Sequence, residues 1–568
     1  MEATTARQYS RLFVPKLFTV LRGSYGWSDL HSDALAGLTV AIVALPLAMA
    51  LAIASGTTPE KGLYTAIVAG FLISALGGSR VQIGGPTAAF IPVVFVVITR
   101  FGFGGLILCT LLAGLMLIAA GLLRLGTLMK YMPHPVITGF TAGIAVSIFS
   151  SQVKDALGLQ MESVPAEFIP RWSAYAKHIA TVQPPAIALT VLGLGAIVAV
   201  RRWRPGWPSF LIALLVCTLV CAGFGLQAET IGSRFGALPS GFPEFAFPHI
   251  PFERTRELLP SSFTIAFLAG VESLLSAVVA DGMIGGRHRS NAELVAQGVA
   301  NVGSALFGGL PATGAIARTA TNVRAGARSP VAGMLHAAFL LLFMLVLAPY
   351  MRYVPLAALA AVLLVVAWNI SEYEHFRHTL SAPRGDRLVL LLTFGLTVFF
   401  DLTLAIEVGL VVAAFVFMFR MAEAVEVSSG VKLIEENGEE STHPDQRARL
   451  PAGVEAFQIS GPLFFGAANR LDELLDQFPK PPRVFILRMR LVPVIDASGV
   501  HALKTLLERC RRRGTTLVIS GLQAQPLRVI GQMALHPREG ELYFVDDFDA
   551  SLALARTLAG ANAMDGTT

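Results

Sequence analysis

Charge is what this 568-residue sequence has least of: only 14% of its residues are Asp, Glu, Lys or Arg, against about 25% in an ordinary soluble domain. With 54% hydrophobic residues, so little charge excludes a purely water-soluble chain of this length. Cysteine is scarce as well. Cys217 and Cys221 are one helical turn apart, but no histidine or second cysteine pair nearby completes a metal site. These two, with Cys109 and Cys510, read as small buried side chains. The first thirty residues carry Arg7, Arg11, Lys16 and Arg22 without an apolar core ahead of a cleavage site, so no cleaved signal peptide is expected. There is no basic stripe on a soluble face, which argues against a nucleic-acid partner. No histidine pairs with a nucleophile motif, so the sequence offers no enzyme constellation and calls for no cofactor.

What is abundant is apolar sequence in long runs, and the mean hydropathy is +0.63. Fourteen apolar segments lie near 34–54, 62–77, 86–98, 103–123, 134–152, 184–200, 208–226, 262–280, 292–307, 312–323, 331–350, 354–370, 386–402 and 404–421. Most approach the roughly 20 residues that a helix needs to cross the hydrocarbon core. If the N-terminus is cytoplasmic, the loops on that side hold Arg80, Arg124, Lys130, Arg201, Arg202, Arg204, Arg287, Arg289, Arg324, Arg328, Arg377, Arg384 and Arg387. The short loops on the other side hold few basic residues, and this positive-inside bias sets the orientation. An even number of spans then returns the C-terminus to the cytoplasm. The chain divides into an N-terminal cytoplasmic segment (1–30), a transmembrane domain (31–424), a linker (425–450), a small cytoplasmic α/β domain (451–560) and a disordered tail (561–568). In the α/β domain, 454–460, 484–487 and 516–520 read as strands and 498–513 as a helix.

Two of the apolar segments are short, and each follows a break. Gly84-Gly85-Pro86 precedes 86–98, and Gly308-Gly309-Leu310-Pro311 precedes 312–323. They are the third and tenth of fourteen, so they hold corresponding places in two halves of seven. An odd number of spans per half inverts the second half in the membrane. Paired broken helices in such halves point to a transporter's binding site. A helix that starts inside the membrane leaves its first N–H groups unpaired, and its dipole places partial positive charge there. Two such starts facing each other make an anion site, with Gly85, Pro86, Thr87, Ala88 and Ala89 on one side. On the other are Thr313, Gly314, Ala315, Ala317 and Arg318. Thr87 and Thr313 can add hydroxyl donors, and Pro86 suits a helix start because it loses no needed N–H. The bland alternative is a pair of kinks satisfied by their neighbours.

Two intramembrane charges need a role, because each costs about 2.5–3.5 kcal/mol on insertion scales. Arg318, roughly a turn and a half into the second short segment, either adds positive field to the anion site or pairs with an internal carboxylate. Glu272, in the eighth segment, is a candidate coupling group, with Ser276 one turn on and on the same face. The two could offer oxygens to a proton or sodium ion, or Glu272 could be a structural partner of Arg318. Asp281, Glu293, Glu407 and Asp401 lie nearer span ends and read as structural.

The residues also resemble a known family, SulP, the sulfate permease group that shares its fold with the eukaryotic solute carrier group containing prestin. The resemblance runs through 33–40 leading to Pro46, through Gly85-Pro86-Thr87-Ala88, and through Gln152 with Lys154 and Asp155. It continues at Asn291-Ala292-Glu293-Leu294 with Gln297, Gly298 and Asn301, and at 313–320. The tail resembles a STAS domain through Asp496-Ala497-Ser498-Gly499. This implies an all-α polytopic membrane domain of 14 helices, built as two inverted 7-helix repeats with core and gate domains, plus a small cytoplasmic α/β STAS domain. It also implies homodimers, an elevator motion, and multi-pass insertion in a bacterial inner membrane. Many sulfate-carrying relatives have Pro-Gln where this chain has Pro46-Leu47, and serines where it has Ala315 and Ala317. The loss of polar groups weakens a sulfate assignment, since a desolvated sulfate needs many donors. The pattern looks most like members associated with C4-dicarboxylates such as succinate or fumarate. Sodium-coupled bicarbonate members carry an acid and a hydroxyl one turn apart in the eighth helix, as Glu272 and Ser276 do here. The longer Glu in place of Asp favours a proton as the coupling ion. Ser498, at a helix start, is either a phosphorylation site or an N-cap serine, and the STAS domain offers a surface for docking a cytoplasmic protein.

Overall fold

The structure is a computed structural model. It describes residues 13–564 apart from 24, 128–132, 162–163, 237–240, 242–244, 246–251, 401, 424–425, 430–449 and 465–479. Asp401, Lys130, Arg7, Arg11 and most of the expected 425–450 linker therefore lie outside the described residues. The chain forms two compact units, Met1–Ala413 and Ala414–Thr568.

Each of the fourteen apolar segments appears as a helix. They are α1 (Trp27–Ala54), α2 (Pro59–Leu76), α3 (91–101) and α4 (103–122), followed by α5 (His134–Leu157), α6 (Pro184–Trp203) and α7 (Ser209–Gly223). The second seven are α8 (Thr255–Ile284), α9 (Ser290–Leu306), α10 (Ile316–Arg324), α11 (Val331–Met351), α12 (Leu356–Ile370), α13 (Arg384–Phe399) and α14 (Leu402–Glu423). α3 and α4 run on from each other except at Gly102, whose φ of 70° and ψ of −176° break the helix. Prolines in the first turn start α2, α3, α5 and α6, where a missing N–H costs nothing. Left-handed Gly158 and Gly285 end α5 and α8.

The contacts sort these helices into two groups. α4 packs on α9 and α8, α1 on α11 and α2, α2 on α9 and α11, and α8 on α10. The second group joins α5 to α12 and α13, α6 to α7, and α12 to α6. The expected core and gate are therefore visible as packing, each drawing helices from both halves of the chain. A close seam runs between α4 and α9. A Cβ on Gly114 would fall 2.8 Å from the Gly298 carbonyl oxygen, and one on Gly298 2.5 Å from that of Gly114. Small residues let the backbones meet where lipid supplies no hydrophobic drive.

The second unit holds a five-stranded sheet in the order β3-β4-β5-β6-β7. Its strands are β3 (Glu426–Ser429), β4 (Val454–Ser460), β5 (Val484–Leu491), β6 (Thr516–Ser520) and β7 (Leu542–Val545). The edge strand β3 is antiparallel to β4, and the other pairs are parallel. Two helices, α15 (Ala497–Arg512) and α16 (Ala524–Gln532), cover one face, with Leu503 and Leu506 of α15 in one core with Phe485 and Leu487 of β5. On the other face α17 (Phe548–Met564) places Phe548 and Leu552 on Ile486 and Val518. Strands and helix appear where the sequence indicates them, with three corrections. Residues 426–429, expected as linker, are a strand, and α17 runs past the expected end of the domain at 560 to Met564. The cap of α15 is Asp496, whose Oδ1 accepts from Gly499 N at 2.8 Å. Ser498 is thus the second residue of the helix and not its N-cap.

Candidate anion-binding site

Between α2 and α3 the chain turns back into the unit, and Gly84–Gly85 forms a two-residue strand, β1. Between α9 and α10 it does the same, and Thr313–Gly314 forms β2. The two strands pair antiparallel, Gly84 with Gly314 and Gly85 with Thr313, and Ala315 N donates to Ile83 O at 2.8 Å. The third and tenth segments, read from sequence as corresponding, therefore meet. α3 is entered through a short 3-10 turn, Ala88–Phe90, and α10 starts at Ile316. At 1.5 Å per residue, each of these helices covers only about half of a 30 Å hydrocarbon core.

The helix starts differ from expectation in detail. Thr313, Gly314 and Ala315 are extended, so Arg318 is the third residue of α10, within its first turn and not a turn and a half in. Pro86 lies two residues before the 3-10 turn, and its use is its carbonyl, which accepts a hydrogen bond from Arg318 Nη2. Arg318 is 4% exposed, and its Nη1 is buried with no hydrogen-bond partner among the described residues. Gly85, at φ +149°, passes so close that a Cβ there would stand 2.5 Å from that Nη1. Gly314 is equally constrained, by the Gln82 amide.

The two threonines aim elsewhere. Thr313 Oγ1 donates to Ala269 O at 2.7 Å, and Thr87 Oγ1 donates to Glu272 Oε2 at 3.0 Å. The first hydroxyl ties β2 to α8; the second ties the start of α3 to the candidate coupling acid. Ser276 Oγ donates to Thr319 Oγ1 at 3.0 Å, and that oxygen also accepts from Ile83 N at 3.0 Å. Glu272 and Ser276 thus engage different partners, Thr87 in the lead-in to α3 and Thr319 on α10. Glu272 and Arg318 feel each other's charge, but no ion pair joins them among the described residues. Ala88, Ala89 and Ala317 lie at the two helix starts as expected, and the first two are buried.

Glu293, read from sequence as structural, is fully buried with both carboxylate oxygens hydrogen-bonded. Its Oε2 accepts from Gly78 N at 2.8 Å and Ser79 N at 3.1 Å. Its Oε1 accepts from Gln297 Nε2 at 2.9 Å and Ser273 Oγ at 3.2 Å. Asn301 braces the approach to β2 through both of its amide atoms, bonded to Ala312 O and Ala312 N. Two residues that sequence reasoning did not single out stand out here. Gln82 Nε2 donates to Ser273 while its Oε1 has no partner among the described residues, and His336 on α11 is fully buried beside Gly37 of α1. A polar side chain inside an apolar run is the signal that could have found His336.

Known proteins place this geometry. The model of the sulfate permease family matches residues 30–393. The chain belongs to that family. A STAS domain matches residues 447–544. The Bacillus subtilis (strain 168) protein named "Putative sulfate transporter YvdB" is 42% identical over 92% of this chain and 98% of its own length. The "Bicarbonate transporter BicA" of Picosynechococcus sp. (strain ATCC 27264 / PCC 7002 / PR-6) is 30% identical over 90% of this chain and 92% of its own. The solved structure of SLC26A9 aligns over 100% of this chain and 96% of its own, with a TM-score of 0.84 at 17% identity, which bears on the fold. This sulfate permease family member is therefore a multi-pass membrane anion transporter, not an enzyme, with a C-terminal STAS domain.

Proposed function

We propose that the chain is a secondary active, proton-coupled symporter of C4-dicarboxylates of the fumarate and succinate type. The carrying observation is Arg318 Nη1, buried and without a partner where two half-length helices begin. Such a group is costly unless a ligand completes it, and helix starts on both sides favour an anion. The donors are few, since both threonine hydroxyls are already used and Ala88, Ala89, Ala315 and Ala317 add only methyl groups. A carboxylate on a hydrocarbon stem suits that mixture better than a fully solvated oxyanion does. Glu272 supplies the coupling, with Ser276 as its neighbour on the helix. Ionised, it cancels the charge of Arg318 at the site; protonated, it leaves Arg318 uncompensated for an anion. Proton and anion then bind together. The core group of helices carries the site past the gate as an elevator, in a homodimer whose termini and STAS domain face the cytoplasm. There the STAS domain docks other proteins, with Ser498 as a phosphorylation position.

The names of the two relatives favour a second reading, sulfate or bicarbonate as the cargo, with sodium as the coupling ion in the bicarbonate case. Counterflow in proteoliposomes separates the readings: fumarate, succinate, aspartate, sulfate and bicarbonate, each with and without a pH or sodium gradient. The proposal expects dicarboxylate exchange and proton-driven accumulation, with Glu272→Gln retaining exchange and losing accumulation. Exchange confined to sulfate or bicarbonate overturns the cargo. Full accumulation by Glu272→Gln overturns the coupling role, and the absence of gradient-driven uptake of every anion makes the protein a passive channel.

A further inference from the structure

A cavity of about 520 Å³ opens where α1 ends and α2 begins, beside the C-terminal end of α3. It is separate from the helix starts that hold Arg318. Phe95 and Ile98 of α3, Ile53 of α1 and Gln152 of α5 form its walls. Both packing groups, core and gate, contribute to it.

Four cations line this space, Lys61, Lys154, Arg171 and Arg234, with one acid, Asp155. Arg234 is spoken for, with Nη2 2.7 Å from Asp155 Oδ1 and Nε 2.7 Å from Glu229 Oε1. The other three have no carboxylate partner among the described residues. Lys61 Nζ stands 5.4 Å from the centre of the Tyr64 ring and 5.0 Å from that of Phe103. Lys154 Nζ donates to Met161 O at 2.9 Å. Arg171, 7% exposed, donates from Nε to Pro165 O at 2.9 Å and from Nη2 to Ala166 O at 2.7 Å, with its guanidinium 5.6 Å from the centre of the Phe95 ring. Rings and carbonyls hold a cation in place without cancelling its charge. Glu60, which accepts from Thr58, and exposed Glu167, 3.9 Å from Arg100, do not line the cavity. A concave, partly apolar wall with a surplus of fixed positive charge focuses field into the cavity.

We propose that this cavity is a second anion-binding site, which concentrates oxyanions and carboxylates at the end of α3 remote from Arg318. Its use as an antechamber for cargo rests on the transport reading; its binding of anions does not. The cavity lies on the side opposite the arginine-bearing loops, which is the external face in the orientation proposed above.

The test uses single cysteines as reporters in the full-length chain, since all four native cysteines are buried. Thr57 and Ser151 line the cavity on different elements, so Thr57→Cys and Ser151→Cys serve as independent reporters. Each is reacted with a sulfonate-bearing and a trimethylammonium-bearing methanethiosulfonate, and the rate ratio is normalised to a small free thiol. We expect the anionic reagent to be favoured by about tenfold or more. Lys61→Gln with Lys154→Gln collapses the preference, and sodium sulfate slows labelling more than sodium chloride of equal ionic strength. Arg318→Ala leaves the ratio unchanged, so a failed transport reading and a failed second site give different results. A normalised ratio near one at both reporters, or a preference that survives loss of both lysines, overturns the site.

Discussion

Substitution of Gly85 by alanine tests the geometry of the anion site without touching a charge. The new Cβ would lie 2.5 Å from Arg318 Nη1. Restoring an ordinary contact requires the guanidinium to retreat by about 1 Å. That retreat displaces Nη1, the atom placed to meet an anion, from its position at the helix starts. A buried hydrogen bond from a charged donor is worth about 1.5–3 kcal/mol, so anion affinity falls by about 10- to 100-fold, at 1.4 kcal/mol per factor of ten. A φ of +149° adds backbone strain of about 1–3 kcal/mol, which lowers the melting temperature without regard to ligand. The two effects separate in a double-mutant cycle. After Arg318→Ala, Gly85→Ala costs only the strain, so the losses of affinity are strongly non-additive. Gly195→Ala, with nothing within 4 Å of its Cβ, is the neutral control. The assay is equilibrium binding of the radiolabelled anion selected by the counterflow panel, alongside thermal melting. A Kd for Gly85→Ala within about twofold of wild type, or additive losses with Arg318→Ala, would refute the argument.

Glu293→Ala leaves the buried Gly78 and Ser79 N–H groups without their acceptor, at about 1–3 kcal/mol each. Its melting temperature drops clearly, while the proton-to-anion ratio of the protein that remains folded is unchanged; an altered ratio would make Glu293 a coupling group. Outside the spans, burial pushes the Glu229 carboxyl up, but hydrogen bonds and charge from Arg234 hold it net below its ordinary 4.5. Its contribution to stability is therefore complete above pH 4.5 and is lost as pH falls through the lower folded value. Glu229→Gln flattens the pH dependence of the melting temperature in that window, and an unflattened profile would show that the pairing contributes nothing.

The fourteen helices were legible because a span must be apolar along nearly its whole length, so run length alone marks it. The breaks at Gly84-Gly85-Pro86 and Gly308–Pro311 were legible for the converse reason. What happens inside the breaks was not. A strand of two glycines has no side-chain pattern, so the β1–β2 pairing left no trace, and apolar Ala312 to Ala315 was counted as helix. That miscount misplaced Arg318 by about a turn. Hydroxyl direction is also unreadable: Thr87 and Thr313 look like ligand donors in sequence, yet each is committed to α8. In the STAS domain, Val484–Leu491 and Ala497–Arg512 were found within a few residues, whereas edge strand β3, Glu-Val-Ser-Ser, reads as polar linker because nothing in it alternates.

The start of α3 is held from two directions. Arg318 of α10 grips the Pro86 carbonyl, and Glu272 of α8 receives the Thr87 hydroxyl. These are adjacent residues, so the cation that would meet cargo and the acid that would carry the proton act on one point of backbone. Around them β1 pairs with β2, Ile83 N bonds Thr319, and Asn322 Nδ2 bonds Val81 O at 2.8 Å. Ties this dense between the two halves leave little room for one half-helix to swing away from the other. Opening the site to alternate sides by local gating would break several buried hydrogen bonds at once, each costing about 1–3 kcal/mol. Moving α1–α4 and α8–α11 together against α5–α7 and α12–α13 breaks none of them. The same crossing that builds the candidate anion site thus favours the proposed elevator motion, which would carry that site intact.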